Sequence, residues 1–133
     1  MLKRIRGQLA YERGLQSEKM AAQYLEEHGY EILKMRYKTK FGEIDIVAKI
    51  DSLVVFVEVK ARQNYSDGVE AIGAKSRKRI EQSALMFMAE HDAYKDLGMR
   101  FDVMVLYMQK SAVDGNAAMQ IEHLDNAWMA GLM

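Results

Sequence analysis

"GEIDIVAKIDSLVVFVEVK", residues 42–60, decides how this chain is read. Two runs rich in Ile and Val, 43–50 and 53–60, flank Asp51-Ser52, the pattern of two β-strands joined by a tight hairpin. Four charged residues, Glu43, Asp45, Glu58 and Lys60, lie inside those strands. With a two-residue connection Ile50 sits opposite Leu53, which sets Asp45 against Glu58 and Glu43 against Lys60. Alternation then gives one wholly apolar face, made of Ile44, Ile46, Ala48 and Ile50 with Leu53, Val55, Val57 and Val59. The other face carries Glu43, Asp45, Val47 and Lys49 with Val54, Phe56, Glu58 and Lys60.

Two carboxylates directly opposite one another repel. They share a site stably when a cation lies between them or when one takes a proton. A hard divalent ion such as Mg²⁺ takes oxygen ligands, commonly one or two carboxylates plus substrate phosphate. Lys60, two residues beyond Glu58, shares its face and could orient or deprotonate a water, or stabilise charge developing on a phosphate. The same charges also fit the solvated face of a half-exposed hairpin, with Lys60 neutralising Glu43.

Outward from the hairpin, residues 14–30 read as a helix closed by Gly29. On it Glu18, Ala21, Ala22 and Leu25 form one stripe, which turns Glu18 toward the sheet, where a carboxylate needs a cation or a donor. Residues 30–38 are a first strand, 63–68 a loop, and 75–91 a second helix with Ile80, Ala84, Phe87 and Met88 at helical spacing. A buried strand over 101–108, a turn at "SAVDGN" and a last strand over 119–124 complete the order αβββαββ. The expected fold is α/β: one domain over 1–133, a mixed central sheet flanked by helices.

The chain has 133 residues, 50% hydrophobic and 29% charged, enough for one domain with its own core. No apolar run approaches a membrane span, and the basic start lacks the apolar segment of a signal peptide. There are no cysteines, which excludes disulfides and sulfur-built metal sites and fits a cytoplasmic protein. Net charge is zero, but residues 1–80 hold 16 Lys and Arg against 11 Asp and Glu, and residues 81–133 hold 3 against 8. Such asymmetry points to one basic face, or simply to solvated surface.

Lys75, Arg77, Lys78 and Arg79 crowd the start of the second helix, where the helix dipole disfavours cations and favours a phosphate. Lys75, Arg79 and Gln82 share one face there, and Arg62 closes the hairpin stretch. His28, His91 and His123 are isolated and read as surface or cap residues. Asp102, inside an apolar strand, needs a partner such as Arg100, and Trp128 reads as packing. No P-loop or GxGxxG supports a nucleotide cofactor.

"GEIDIVA", a hydrophobic strand ending "FVEVKAR", a basic helix and "RFDV" together resemble the YraN family of small bacterial proteins. That family is related to archaeal Holliday-junction resolvases within the PD-(D/E)XK nuclease superfamily. The resemblance spans roughly residues 10–128 and rests on the double motif of Asp45 and Glu58-Val59-Lys60. It implies a restriction-endonuclease-like fold and a metal-dependent endonuclease acting on structured or branched DNA, or a nucleic-acid-binding module that keeps the fold without catalysis. It further implies Mg²⁺ or Mn²⁺ held by Asp45, Glu58, the Val59 carbonyl and Glu18, Lys60 as the catalytic lysine, and DNA contacts from Arg62 and the 75–82 cluster. Symmetric cutting of a junction implies a homodimer. Three positions depart from the family pattern: Ile44 stands for a usual Pro, Ala61 for a Thr, and Arg36 for an Asn.

Overall fold

Strands dominate where β-branched residues cluster, and a five-stranded sheet forms the middle of the domain. The computed structural model describes residues 2–62 and 72–130, with side chains from residue 13 onward. In chain order the elements are α1 (Leu2–Glu27), β1 (Glu31–Thr39), β2 (Gly42–Ile50), β3 (Leu53–Arg62), α2 (Ala74–Glu90), β4 (Gly98–Lys110) and β5 (Ala117–Trp128), with a 3₁₀ turn at Asp92–Tyr94. The order αβββαββ is therefore as expected. The strands lie β1-β2-β3-β4-β5, antiparallel except for β3 and β4, which run parallel with α2 as their crossover. No helix among the described residues is long and apolar enough to cross a membrane. The loop expected at 63–68 lies outside the described residues.

α1 ends in a Schellman motif: Tyr30 donates its N–H to Leu25 O and Gly29 to Glu26 O, with Gly29 at φ +89°. Its predicted stripe holds, since Glu18, Ala21, Ala22 and Leu25 are all buried. The helix begins earlier than the sequence pattern marked.

Each sheet face has its own helix. Ala21 and Leu25 of α1 pack on Ile46, Ala48, Val55, Val57, Met104 and Leu106. Ile80, Ala84 and Phe87 of α2 pack on Tyr37, Ile44, Val47, Val54, Phe56 and Phe101. Phe56, fully buried, meets Phe87 and Phe101 with ring centroids 5.8 and 5.7 Å away.

The hairpin has the expected register from Ile50–Leu53 to Ile46–Val57, with Asp51 at φ +51° in the turn. Two expectations fail beyond that point. The ladder stops at Ile46–Val57, so Asp45–Glu58 and Glu43–Lys60 are not paired rungs. Ile44 joins the α2 side while Ile46 joins the α1 side, so alternation slips by one at Asp45. The cause lies in both neighbours of Asp45. On β1 the facing Arg36 adopts φ +50°, between the rungs Met35–Ile46 and Tyr37–Ile44. On β3 the Asp45 carboxylate accepts the Val59 N–H at 2.8 Å, so a side chain takes the place of a rung.

Candidate metal centre

The slip at Asp45 aims β2's acidic end at α1. One carboxylate oxygen each from Glu18, Glu43 and Asp45 lies within 4.8 Å of the others. Glu58 stands outside that trio and adjoins it through Asp45. Asp45 accepts the Val59 N–H, and the Asp45 backbone lies near enough to Glu58 to oppose the rise in its pKa. The Asp45 carboxylate is thus oriented by the other strand's backbone although Asp45 and Glu58 are not a ladder pair.

Electrostatics mark Asp45 and Glu58. Burial pushes the Glu58 carboxyl up to about 8, with repulsion from Asp45 adding to it and Lys60 opposing it. Burial also pushes Asp45 up to about 6, against the Val59 N–H, with repulsion from Glu18 adding. In the absence of a cation the pair retains a proton near neutral pH, chiefly on Glu58. Glu58 is 9% exposed, and its Oε1 has no hydrogen-bond partner. A buried oxygen of this kind is costly unless something meets it.

Two cations serve the cluster. Arg36 grips Glu18 with Nε at 2.6 Å from Oε2 and Nη2 at 3.3 Å from Oε1, and its Nη1 reaches Glu43 Oε1 at 3.9 Å. Glu43's ion-pair partner is therefore Arg36, where the hairpin pattern had assigned Lys60. Half-buried Lys60 lies between two openings. One is a pocket of about 210 Å³ bounded by Gly42, Glu43, Glu58, Ser76, Arg79 and Ile80. The other is a groove of about 790 Å³ along α1 and the ends of β3, β4 and β5, lined by Glu18, Val59, Arg62, Met108 and Met119 among others.

The predicted site residues thus divide. Glu18, Asp45, Glu58 and Lys60 converge, and Val59 joins them through its N–H, which Asp45 accepts. Of the basic set, Arg79 borders the pocket and Arg62 the groove. Lys75 and Lys78 are exposed, Arg77 and Gln82 half-buried, and none of the four borders the pocket. The start of α2 carries no side-chain cap on Gly73. Sequence reasoning put Glu43 on the charged face without a ligand role, and missed Arg36 in the cluster and Ser76 on the pocket wall. Glu43 had a signal, two residues before Asp45 in a strand. Arg36 had only its place opposite Asp45.

A second buried polar group lies elsewhere in the sheet. Asp102 of β4 is fully buried, with Arg100 Nε and Nη2 at 2.9 and 2.7 Å, His123 Nε2 at 2.7 Å and the Asn126 N–H at 2.9 Å. Burial alone would raise its pKa, but His123, Arg100 and Asn126 together lower it. The Arg100 partner is as expected. His123 is not a surface residue, because Asp102, Tyr24 and Tyr30 enclose it. His28 and His91 each bond a carbonyl four residues back, Tyr24 O and Phe87 O, as caps do.

The chain also matches known proteins. Residues 17–106, which carry Glu18, Arg36, Glu43, Asp45, Glu58, Lys60 and α2, match the model of uncharacterised protein family UPF0102. A UPF0102 protein of Mesorhizobium japonicum is 46% identical over 99 residues, 74% of this chain and 79% of its own length. One from Azorhizobium caulinodans is 40% identical over 125 residues, 94% of this chain and 88% of its own. Another, from Rhodopseudomonas palustris, is 43% identical over 97 residues, 73% and 75% of the two lengths. The family model covers most of the described domain, and this chain belongs to UPF0102.

Proposed function

We propose that the chain is a divalent-metal-dependent endonuclease that hydrolyses phosphodiester bonds in structured or branched DNA, on a restriction-endonuclease-like fold of the PD-(D/E)XK kind. The observation that carries this reading is the buried, unpartnered Oε1 of Glu58 beside Asp45, with Lys60 next to both. An orphaned oxygen, a carboxylate oriented by a backbone N–H and an all-oxygen donor set fit Mg²⁺ or Mn²⁺. Asp45 and Glu58 would hold the ion, with Glu18, Glu43 and the Val59 carbonyl as further donors. The ion, when bound, supplies Lewis acidity and charge neutralisation at the phosphate.

The protein's own groups do the rest. Lys60 Nζ orients the attacking water and stabilises charge developing on the phosphate oxygens. Arg79 and Ser76, across the pocket from Lys60, offer donors to the DNA backbone, and Arg62 extends that contact along the groove. Lys75, Arg77, Lys78 and Gln82 hold more distant phosphates. Paired cuts in a four-way junction call for a homodimer, and the cysteine-free chain suits the cytoplasm.

One observation favours a second reading, a nucleic-acid-binding module without catalysis. Arg36 already neutralises Glu18 without any metal. A screen of single-stranded, flap and four-way-junction DNA with Mn²⁺ and with EDTA separates the two. The nuclease cleaves at least one substrate only with Mn²⁺. The module binds DNA with steep salt dependence and cleaves none.

A further inference from the structure

Arg36 is placed where an added cation would be expected. It lies on β1 opposite Asp45, in a left-handed backbone conformation that strains a residue other than glycine. Its guanidinium engages both oxygens of Glu18 and approaches Glu43, two of the three carboxylates whose oxygens meet within 4.8 Å. The side chain is 25% exposed, so the pair is shielded from solvent over most of its surface. A fork this close to a carboxylate is among the stronger charge-assisted contacts. Strained backbone that aims a charged side chain into an acidic cluster marks a specific role for that side chain.

We infer that Arg36 is the resident counter-ion of this cluster, competing with a divalent cation for Glu18 and so setting how tightly the site takes metal. This rests on the metal-centre reading above and adds a residue to it. Arg36 keeps Glu18 stable in the metal-free protein, where an unpaired buried carboxylate would be costly. While both Glu18 oxygens are held by Arg36, Glu18 is engaged as an ion-pair partner and must exchange at least one contact to become a ligand. Arg36 is on this account a positioning residue: it acts through Glu18, and its effect is on metal affinity and metal-free stability.

The test is calorimetric titration of Mn²⁺ into wild-type, Arg36→Gln and Glu58→Gln proteins, with melting temperatures recorded with and without Mn²⁺. Removing the competing fork should tighten Mn²⁺ binding in Arg36→Gln by about tenfold or more, which is about 1.4 kcal/mol. The metal-free melting temperature should fall in the same variant, and the rise on adding Mn²⁺ should exceed that of wild type. Glu58→Gln should lose Mn²⁺ binding. Equal or weaker binding in Arg36→Gln, with Glu58→Gln still deficient, overturns the role of Arg36 and leaves the metal centre standing. No binding in wild type or Arg36→Gln overturns both. If Arg36→Gln does not fold, Arg36→Lys keeps the charge and loses the fork. It should show a smaller gain in the same direction, and no gain overturns the inference.

Discussion

Glu58→Gln, in the metal-free protein, should stabilise the fold at alkaline pH and leave it nearly unchanged in acid. Burial and the neighbouring Asp45 push the Glu58 carboxyl from an ordinary value of 4.5 to about 8. An acid whose folded pKa is raised favours the protonated folded state. Its stabilising contribution is complete below the unfolded value and is lost as pH rises through the folded value. The window therefore runs from about pH 4.5 to about pH 8. At about 1.4 kcal/mol per pH unit the ceiling is on the order of 5 kcal/mol, and Asp45 shares the proton, so the observed loss falls below it. For a chain of this length that ceiling corresponds to roughly 15–20 °C in melting temperature. Gln matches Glu in shape and cannot ionise, so it removes the alkaline penalty alone. The assay is differential scanning fluorimetry in EDTA from pH 5 to pH 9. Titrating groups away from Asp45 and Lys60 are common to both proteins and cancel in the difference. The variant should melt close to wild type at pH 5 and well above it at pH 9. Parallel curves across the range would refute a raised Glu58 pKa.

Two further outcomes separate scaffold from site. Asp102→Ala leaves Arg100 and His123 without their carboxylate. It should cost about 3–5 kcal/mol in chemical denaturation while Mn²⁺ affinity stays unchanged, because the network shares no side chain with the acidic cluster. Arg79→Ala should weaken DNA binding across sequences and reduce the slope of log affinity against log salt by about one, read by fluorescence anisotropy at several salt concentrations.

The hairpin was readable because a two-residue turn fixes register, and β-branched alternation says which side of each rung is apolar. From Ile46 to Val57 the pairing follows that rule. It fails at Asp45 because the slip is made by Arg36's positive φ and by the Asp45 carboxylate bonding the Val59 N–H, neither of which leaves a periodic trace. The α1 stripe was legible for the same reason as the hairpin, being pure helical spacing. The stretch of α1 before Gly14 carries Lys3, Arg4, Arg6, Arg13 and Gly7 between its apolar residues, and these hide its helical spacing. His123 was misread because its burial comes from Asp102, 21 residues away, and from Tyr24 and Tyr30. Glu43 was assigned to Lys60 by extending a ladder that ends three rungs sooner. In each miss a contact distant in sequence outweighed a local pattern.

Asp45, Glu58 and Lys60 are proposed here as a metal-dependent hydrolytic site. Its most direct measurement is cleavage of a four-way-junction DNA by purified wild type, Glu58→Ala and Lys60→Ala, each shown to be folded by circular dichroism, with Mn²⁺ and with EDTA. Wild type should cleave with Mn²⁺ and not in EDTA, and both variants should be inactive. Wild-type cleavage in EDTA, or undiminished cleavage by both variants, would contradict it.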